Sequence, residues 1–347
     1  MARLLLYGAY GYTGRLIARK ALQAGLDLTL AGRDRDRLSD LAAALDVDWL
    51  PLELHDAARL KKTVAAFDLV IHAAGPFVFT YKAMAQACLH SGTHYVDIGG
   101  EIPVLEALYS LHDQARSAGI TILPGAAFAV VAGDCLANHV VGRLENAAHL
   151  ELAFRSSNGP RPGSTLTAIE QLQYGGLIRR HGAFCGVPFG WGTTEIRFHD
   201  EVSQAVPIPW GDLAAAARST DVPNIITYVA LSANAVRWIS RLGPPAQRLG
   251  KSAAFRHFAR WLTRSTLQAP ADPIPGKSAM WARAADESGE EVVSWLSLNQ
   301  VHLFSAEAAV RCAQGVLESN LVGALTPAQA FGPDFVLDFP GVQRFDG

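Results

Sequence analysis

The chain is short of cysteine, of net charge and of long apolar runs, and each shortage excludes a class of protein. Four cysteines occur in 347 residues, at 88, 135, 185 and 312, and no two lie close together. They read as buried thiols of a reducing compartment rather than as a disulfide framework or a zinc site. A formal net charge of -2 leaves no basic excess of the kind nucleic-acid binders carry. The longer apolar stretches are broken by Asp134, Asn224 or Arg237, so no run of about 18 apolar residues exists to span a membrane. The first strand begins within five residues of Met1, so no signal peptide and a cytoplasmic location are expected. No His, Cys and Asp cluster has metal-ligand spacing, so no metal is expected. Repeats and low-complexity segments are absent.

What is present is apolar mass, 50% hydrophobic against 18% charged residues. That is enough for a large core, in a chain too long for one average domain. Apolar runs at 3–7, 27–31, 47–51, 67–72, 93–98 and 120–123 read as strands covered on both faces. Helical stretches at 13–24, 35–45, 57–65, 80–90 and 102–117 alternate with them, and Asp34 and Asp56 stand at N-cap positions. This βαβ alternation predicts a doubly wound Rossmann sheet of order 3-2-1-4-5-6. After Pro124-Gly125 the rhythm changes. Strands at 148–155, 193–199, 202–207, 225–231, 278–285 and 291–300, and helices at 164–175, 233–242 and 252–264, predict a second, α+β domain of mostly antiparallel strands. Asp286-Glu287-Ser288-Gly289 reads as a hairpin turn and Gln268–Gly276 as a proline-rich loop. The expected division is 1–130 for the nucleotide domain and 131–303 for a substrate and dimerisation domain. Residues 304–347 are expected as a C-terminal helix and tail packing back on the first domain.

The turn between the first strand and first helix is Gly8-Ala9-Tyr10-Gly11-Tyr12-Thr13-Gly14. Gly8 permits a tight turn, Gly11 close backbone approach to a pyrophosphate, and Gly14 close helix–strand packing. Tyr10, Tyr12 and Thr13 leave polar groups beside the phosphates, where helix N–H groups already favour an anion. The second strand ends at Gly32-Arg33, where an NAD site usually carries an acid. A guanidinium there suits a ribose 2′-phosphate, with Arg35 or Arg37 assisting, and the cofactor expected is NADP(H). Asp56 suits the adenine amine about as well as an N-cap.

Ligands of open sheets sit beyond the carboxyl ends of the strands, near the order reversal. That rule selects Ala74, Gly75, Pro76 and Phe77 after the fourth strand as cofactor contacts, and Asp97 and Glu101 after the fifth as cleft candidates, with capping the rival role. Tyr81, His72, His94 and Tyr95 lie near this rim, and Tyr81 joins Asp97 and Glu101 as a cleft candidate. Tyr81 and Lys82 are adjacent, so the Tyr-x-x-x-Lys acid pair of short-chain dehydrogenases is missing. The proton donor is unassigned.

Taken together, Gly8 to Arg15, Leu30-Ala31-Gly32-Arg33, Ala73-Ala74-Gly75-Pro76-Phe77, Gly92-Thr93-His94-Tyr95-Val96-Asp97 with Gly100-Glu101, and the late Leu325-Thr326-Pro327-Ala328 resemble the saccharopine dehydrogenase-like family. The similarity is to its short branch, which includes the mycobacterial trans-acting enoyl reductases, and is dense over about 1–135, returning near 305–332. The resemblance implies a glycine loop on the pyrophosphate, Arg33 on the adenosine phosphate, and the Ala-Gly-Pro-Phe loop along the cofactor. It also implies a second lobe for substrate and homodimer contacts, and transient docking to an acyl-carrier or synthase protein. Where relatives tend to carry Phe-Asp after Pro124-Gly125, this chain has Ala126-Ala127-Phe128-Ala129-Val130-Val131. That loss of an acid argues for a greasier cleft, as do Phe189, Trp191, Trp210 and Trp281 if they are not simply core. The expectation is an NADP(H)-dependent oxidoreductase reducing an apolar enoyl or acyl substrate. Its rivals are an imine or carbonyl reductase of a small polar substrate, served by Arg155, Arg161, Arg179, Arg180 and Arg197, and a non-catalytic NADP(H)-binding partner protein.

Overall fold

The computed structural model describes residues 2–156, 165, 166, 169, 172, 175–266 and 276–347. The helix expected over 164–175, the loop from Gln268 and Arg161 fall, apart from isolated positions, outside the described residues. The chain forms two compact units, one of residues 1–128 and 302–331, the other of 129–301 and 332–347.

In the first unit, β1 (Arg3–Tyr7), α1 (Tyr12–Gln23), β2 (Asp27–Gly32), α2 (Arg35–Leu45), β3 (Trp49–Pro51) and α3 (Ala57–Val64) make the first half of the sheet. The second half is β4 (Leu69–His72), α4 (Tyr81–Ser91), β5 (His94–Asp97), α5 (Ile102–Tyr109), α6 (His112–Ala118) and β6 (Thr121–Leu123). All pairings are parallel, and Leu4, Leu5 and Leu6 are fully buried, as a sheet covered on both faces requires. The expected order 3-2-1-4-5-6 is present. Asp34 and Asp56 cap α2 and α3, accepting from the N–H groups of Arg37 at 3.1 Å and Arg59 at 3.0 Å.

Two details differ from expectation. The helix expected over 102–117 breaks at Ser110, whose hydroxyl donates to Ala107 O at 2.7 Å while Leu111 N turns back to Leu108 O; that three-residue pattern tightens and ends a helix. The sheet also gains a strand from the far end of the chain.

The second unit starts with α7 (Phe128–Val141), followed by β7 (His149–Ser156), β8 (Gly176–Arg180), β9 (Ala183–Val187), β10 (Thr194–Arg197) and β11 (Val202–Pro207). It continues through α8 (Gly211–Ser219), β12 (Asn224–Leu231), α9 (Ala233–Gly250), α10 (Ala253–Thr266), β13 (Lys277–Ala285) and β14 (Glu291–Asn299). Its sheet is antiparallel except for the β7–β12 pair, and Trp281, Tyr228 and Phe198 sit in its core cluster. The 286–289 turn is present, with Asp286 Oδ1 accepting from the N–H groups of Ser288 and Glu290.

The chain then returns. α11 (Val301–Glu318) lies in the first unit from His302 onward, and its Glu307 meets Lys20 of α1 at 2.5 Å. β15 (Gly323–Ala324) adds beside β6, and α12 (Pro327–Phe331) follows. Thr326 and Gln329 cap α12 reciprocally, Gln329 N donating to Thr326 Oγ1 and Thr326 N to Gln329 Oε1. The tail expected on the first domain goes elsewhere. β16 (Gln343–Asp346) pairs with β14 of the second sheet, where Asp346 takes Ser294, His139 and Arg143. An open strand edge and three donors outcompete the first unit for those residues.

Candidate functional site

At the carboxyl end of the first sheet, β1 runs into a loop whose form depends on two glycines. Gly8 has φ +89°, and a Cβ there would lie 2.8 Å from the Ala73 carbonyl carbon and Ala74 N. A Cβ on Gly14 would lie 2.3 Å from Gly8 O. The loop therefore sits at backbone contact with the segment after β4, and α1 against the loop. Gly11 occupies the N-cap of α1 and brings no capping side chain. The first-turn amides of such a helix have no partner within it, and this end carries partial positive charge.

The end of β2 separates the arginines by role. Arg37 lies 4.6 Å over the Tyr10 ring and donates to Tyr10 O at 3.2 Å, while that ring lies so near Gly32 that a Cβ there would be 2.5 Å from Tyr10 Cε1. Arg35 lies 5.7 Å over Trp49. Arg33 is exposed at the strand end, with no hydrogen bond or ion pair to a described residue. Asp34 is turned into its own helix and Asp56 likewise caps α3, so both expected neighbours are acids already engaged. Leu52 N donates to Gly32 O at 2.8 Å, which ties the ends of β2 and β3 together.

Beyond β4 the loop Ala73–Phe77 is held at three points. The Thr80 hydroxyl donates to Ala74 O at 2.8 Å, so His72 Nε2, 3.0 Å away, must be the donor to Thr80 Oγ1. That leaves His72 Nδ1 a bare, buried acceptor without a partner, and burial pushes the ring's pKa down to about 3. His72 is thus a neutral structural histidine packed among Tyr7, Phe77 and Tyr95. The third point is Glu101, whose Oε1 accepts from Phe77 N at 2.9 Å.

Asp97 and Glu101, expected as cleft candidates with capping as the rival, are 0% and 4% exposed. Asp97 Oδ1 accepts from Gly99 N at 2.8 Å and Gly125 N at 2.9 Å, and Oδ2 from the Tyr95 hydroxyl at 2.7 Å. Burial raises the pKa of both acids, opposed by these hydrogen bonds. They fix the loops after β4, β5 and β6. Tyr81, the first residue of α4, is half-buried, and Val78 and Phe79 just before it are exposed. Thr80 is the anchoring residue that sequence reasoning missed, since a threonine before a helix reads only as a cap.

Residues read as ligand-facing in the second unit have other duties. Val130, Val131 and Ala132 belong to the buried helix α7 and Trp281 to the core, so neither evidences a greasy cleft. Trp210 packs on Phe154, and Trp191 is 38% exposed. Arg155 pairs with Asp200 and Glu201, and Arg179 donates to Ala217 O. Arg180 and Arg197 are exposed. Cys88, Cys135 and Cys312 are buried, and Cys185 only half so. Among the described residues no cluster of His, Cys, Asp or Glu could hold a metal ion.

A parallel sheet of this order, with a glycine loop at backbone contact and a cation after the second strand, defines a dinucleotide-binding unit. Residues 4–123 match the saccharopine dehydrogenase NADP binding domain. The chain therefore carries a saccharopine-dehydrogenase-like NADP-binding fold, related to the trans-acting enoyl reductases of mycobacteria. Proteins of that name from Mycobacterium tuberculosis (strain H37Rv) and Mycobacterium ulcerans are 31% identical over 140 residues and 30% over 159. These matches cover 38% and 43% of this chain but only 33% and 38% of those proteins. The saccharopine dehydrogenase (L-Glu forming) of Saccharomyces cerevisiae aligns over 100% of both chains with a TM-score of 0.71 and 13% identity, a likeness of fold.

Proposed function

We propose that the protein is an NADPH-dependent reductase of an apolar acyl or carbonyl-conjugated substrate. The observation that carries the cofactor half is the arrangement at the ends of β1 and β2. The α1 N-terminus offers amides to a pyrophosphate, and Arg33 is left unpaired where a 2′-phosphate lies in such folds. Gly8, Tyr10, Gly11, Tyr12, Thr13 and Gly14 hold the pyrophosphate in this reading, and Ala74 to Phe77 line the nicotinamide side. Asp56 is a cap. The cofactor, when bound, supplies a hydride, and the chain's part is to place the acceptor and supply the proton. Asp97 and Glu101 are buried and engaged by backbone and tyrosine donors, and we assign the half-buried Tyr81 hydroxyl as the donor.

The apolar half rests on the curated relatives, named as enoyl reductases, and on the engagement of Arg155 and Arg179, which a polar substrate would need. Enoyl thioesters should then drive NADPH oxidation, and imine-forming amino acids should not. The reverse preference would establish the polar reading, and tight NADPH binding without turnover of either would make the chain a binding partner. Tyr81→Phe should lower kcat about a hundredfold at unchanged NADPH affinity. Arg33→Asp should weaken NADPH binding about 30- to 100-fold and NADH binding little. Equal losses for the two dinucleotides would remove Arg33 from the site.

A further inference from the structure

We infer that α9 and α10 form a preassembled docking surface for an anionic lipid membrane, a property independent of the reductase reading. Between Val222 and Ala271 the sequence carries seven lysines and arginines and no aspartate or glutamate, in a chain whose net charge is -2. Outside this stretch the remaining lysines and arginines are outnumbered by aspartates and glutamates, so the rest of the chain is acidic and the helical pair carries cations with no acid among them.

The same pair exposes apolar side chains that a folded unit normally covers. Trp238 is 63% exposed and Leu249 56% on α9; Phe258 is 58%, Trp261 61% and Leu262 43% exposed on α10. Trp238 and Leu249 stand eleven residues apart, three helical turns, and so share a face. Val236, Gly243 and Gly250 recur every seven residues, are buried, and lie roughly 140° round the helix from Trp238. One face of α9 thus serves the core of its unit and the other is free. On α10, Phe258, Trp261 and Leu262 follow the i, i+3, i+4 spacing of a single face, and the two rings lie 5.9 Å apart. Arg256 donates to Gly250 O and Lys251 O, closing the end of α9 onto the start of α10. The hairpin is therefore formed before any partner arrives.

Exposed Arg237, Arg241 and Arg248 border the stripe carrying Trp238 and Leu249. Basic polar faces beside tryptophan, phenylalanine and leucine are the composition of helices that lie in a bilayer interface. Indole rings place an apolar body among acyl chains and an N–H at headgroup depth, and arginines reach lipid phosphates. Among the described residues no helix is long and apolar enough to cross a membrane, so the pair lies on the surface. A second copy is the poorer occupant, because it would oppose two hairpins of the same charge.

The test is flotation of the full chain with vesicles of phosphatidylcholine alone or mixed with phosphatidylglycerol. The chain should float with the mixed vesicles, in a salt-sensitive way, and stay behind with phosphatidylcholine. The combined Trp238→Ser and Trp261→Ser variant should lose flotation, while Trp238→Phe with Trp261→Phe should keep it. Combined Arg237→Gln, Arg241→Gln and Arg248→Gln should cut partitioning about tenfold or more, with unchanged thermal unfolding showing that the fold survives. Equal flotation with both vesicle types, no flotation, or undiminished flotation of the serine variant would overturn the proposal. So would a tryptophan-dependent dimer in sedimentation, or saturable binding to an acidic carrier protein without flotation.

Discussion

Asp97 of the first unit and Asp212 of the second are both buried, and the two are treated in opposite ways. Asp97, at the end of β5, meets three donors, from Gly99, Gly125 and Tyr95. Asp212, in the first turn of α8, is 1% exposed, accepts from the adjacent Leu213 N, and leaves Oδ2 without a hydrogen-bond partner among the described residues. Burial raises both pKa values, but for Asp212 little opposes it and the value reaches about 7. The first carboxyl is a clamp that ties the loops after β5 and β6 to the carboxyl end of the sheet. The second is a destabilising feature, held because α7 and α8 approach so closely that a Cβ on Gly133 would lie 2.7 Å from Asp212 Cβ. Burial alone therefore says nothing about what an acid does; its donors do.

The strongest break of this contrast is Asp97→Ala, which orphans three buried donors and should cost about 3 to 5 kcal/mol. A melting temperature close to that of the parent would show that the loops hold themselves. Asp212→Asn should do the reverse. A folded pKa raised from 3.8 to about 7 means the folded state keeps its proton longer than the unfolded chain. Stability from this group is then complete below about pH 4 and is lost as pH rises through 7, by at most roughly 4 kcal/mol. Asparagine cannot ionise, so the variant should melt like the parent at pH 4 and distinctly higher at pH 8. A pH-independent difference between the two would mean that Asp212 is not the titrating group.

The first unit was legible in the sequence because each of its signals is local. Strand runs covered on both faces, Asp34 and Asp56 at helix starts, and a glycine loop in a βαβ setting each need only a few neighbouring residues. The roles of Asp97 and Glu101 were not local. Their partners Gly125 and Phe77 lie 28 and 24 residues away, and an acid beside a cleft looks the same whether it clamps or catalyses. In the second unit, α7 is buried over most of its length, Asp134 included, so it shows little helical period to read. The β8–β9 hairpin turns on His181-Gly182, both at positive φ; the histidine hides a turn that asparagine would have announced. β16 is four residues long and finds its place only through the edge of β14.

Two glycines at equally close quarters complete the contrast between the units, with the smallest effect on stability. A Cβ on Gly8 would strike backbone atoms of Ala73 and Ala74, and the residue already has φ +89°. Neither obstacle can move without shifting the segment that lines the proposed nicotinamide site. A Cβ on Gly133 would meet Asp212 Cβ at 2.7 Å and Met280 Cε at 3.2 Å, so α8 would have to give. Gly133 has no positive φ to add strain, however, and both neighbours belong to the second unit. Gly8→Ala should therefore cost about 1 to 3 kcal/mol of stability, with NADPH binding weakened about tenfold or more as the loop moves. Gly133→Ala should cost a similar or smaller amount of stability and leave NADPH titration unchanged. If both alanines weakened NADPH equally, the binding end of the first sheet would not be set by its own backbone contacts, and the clamp role given to Asp97 would lose its purpose.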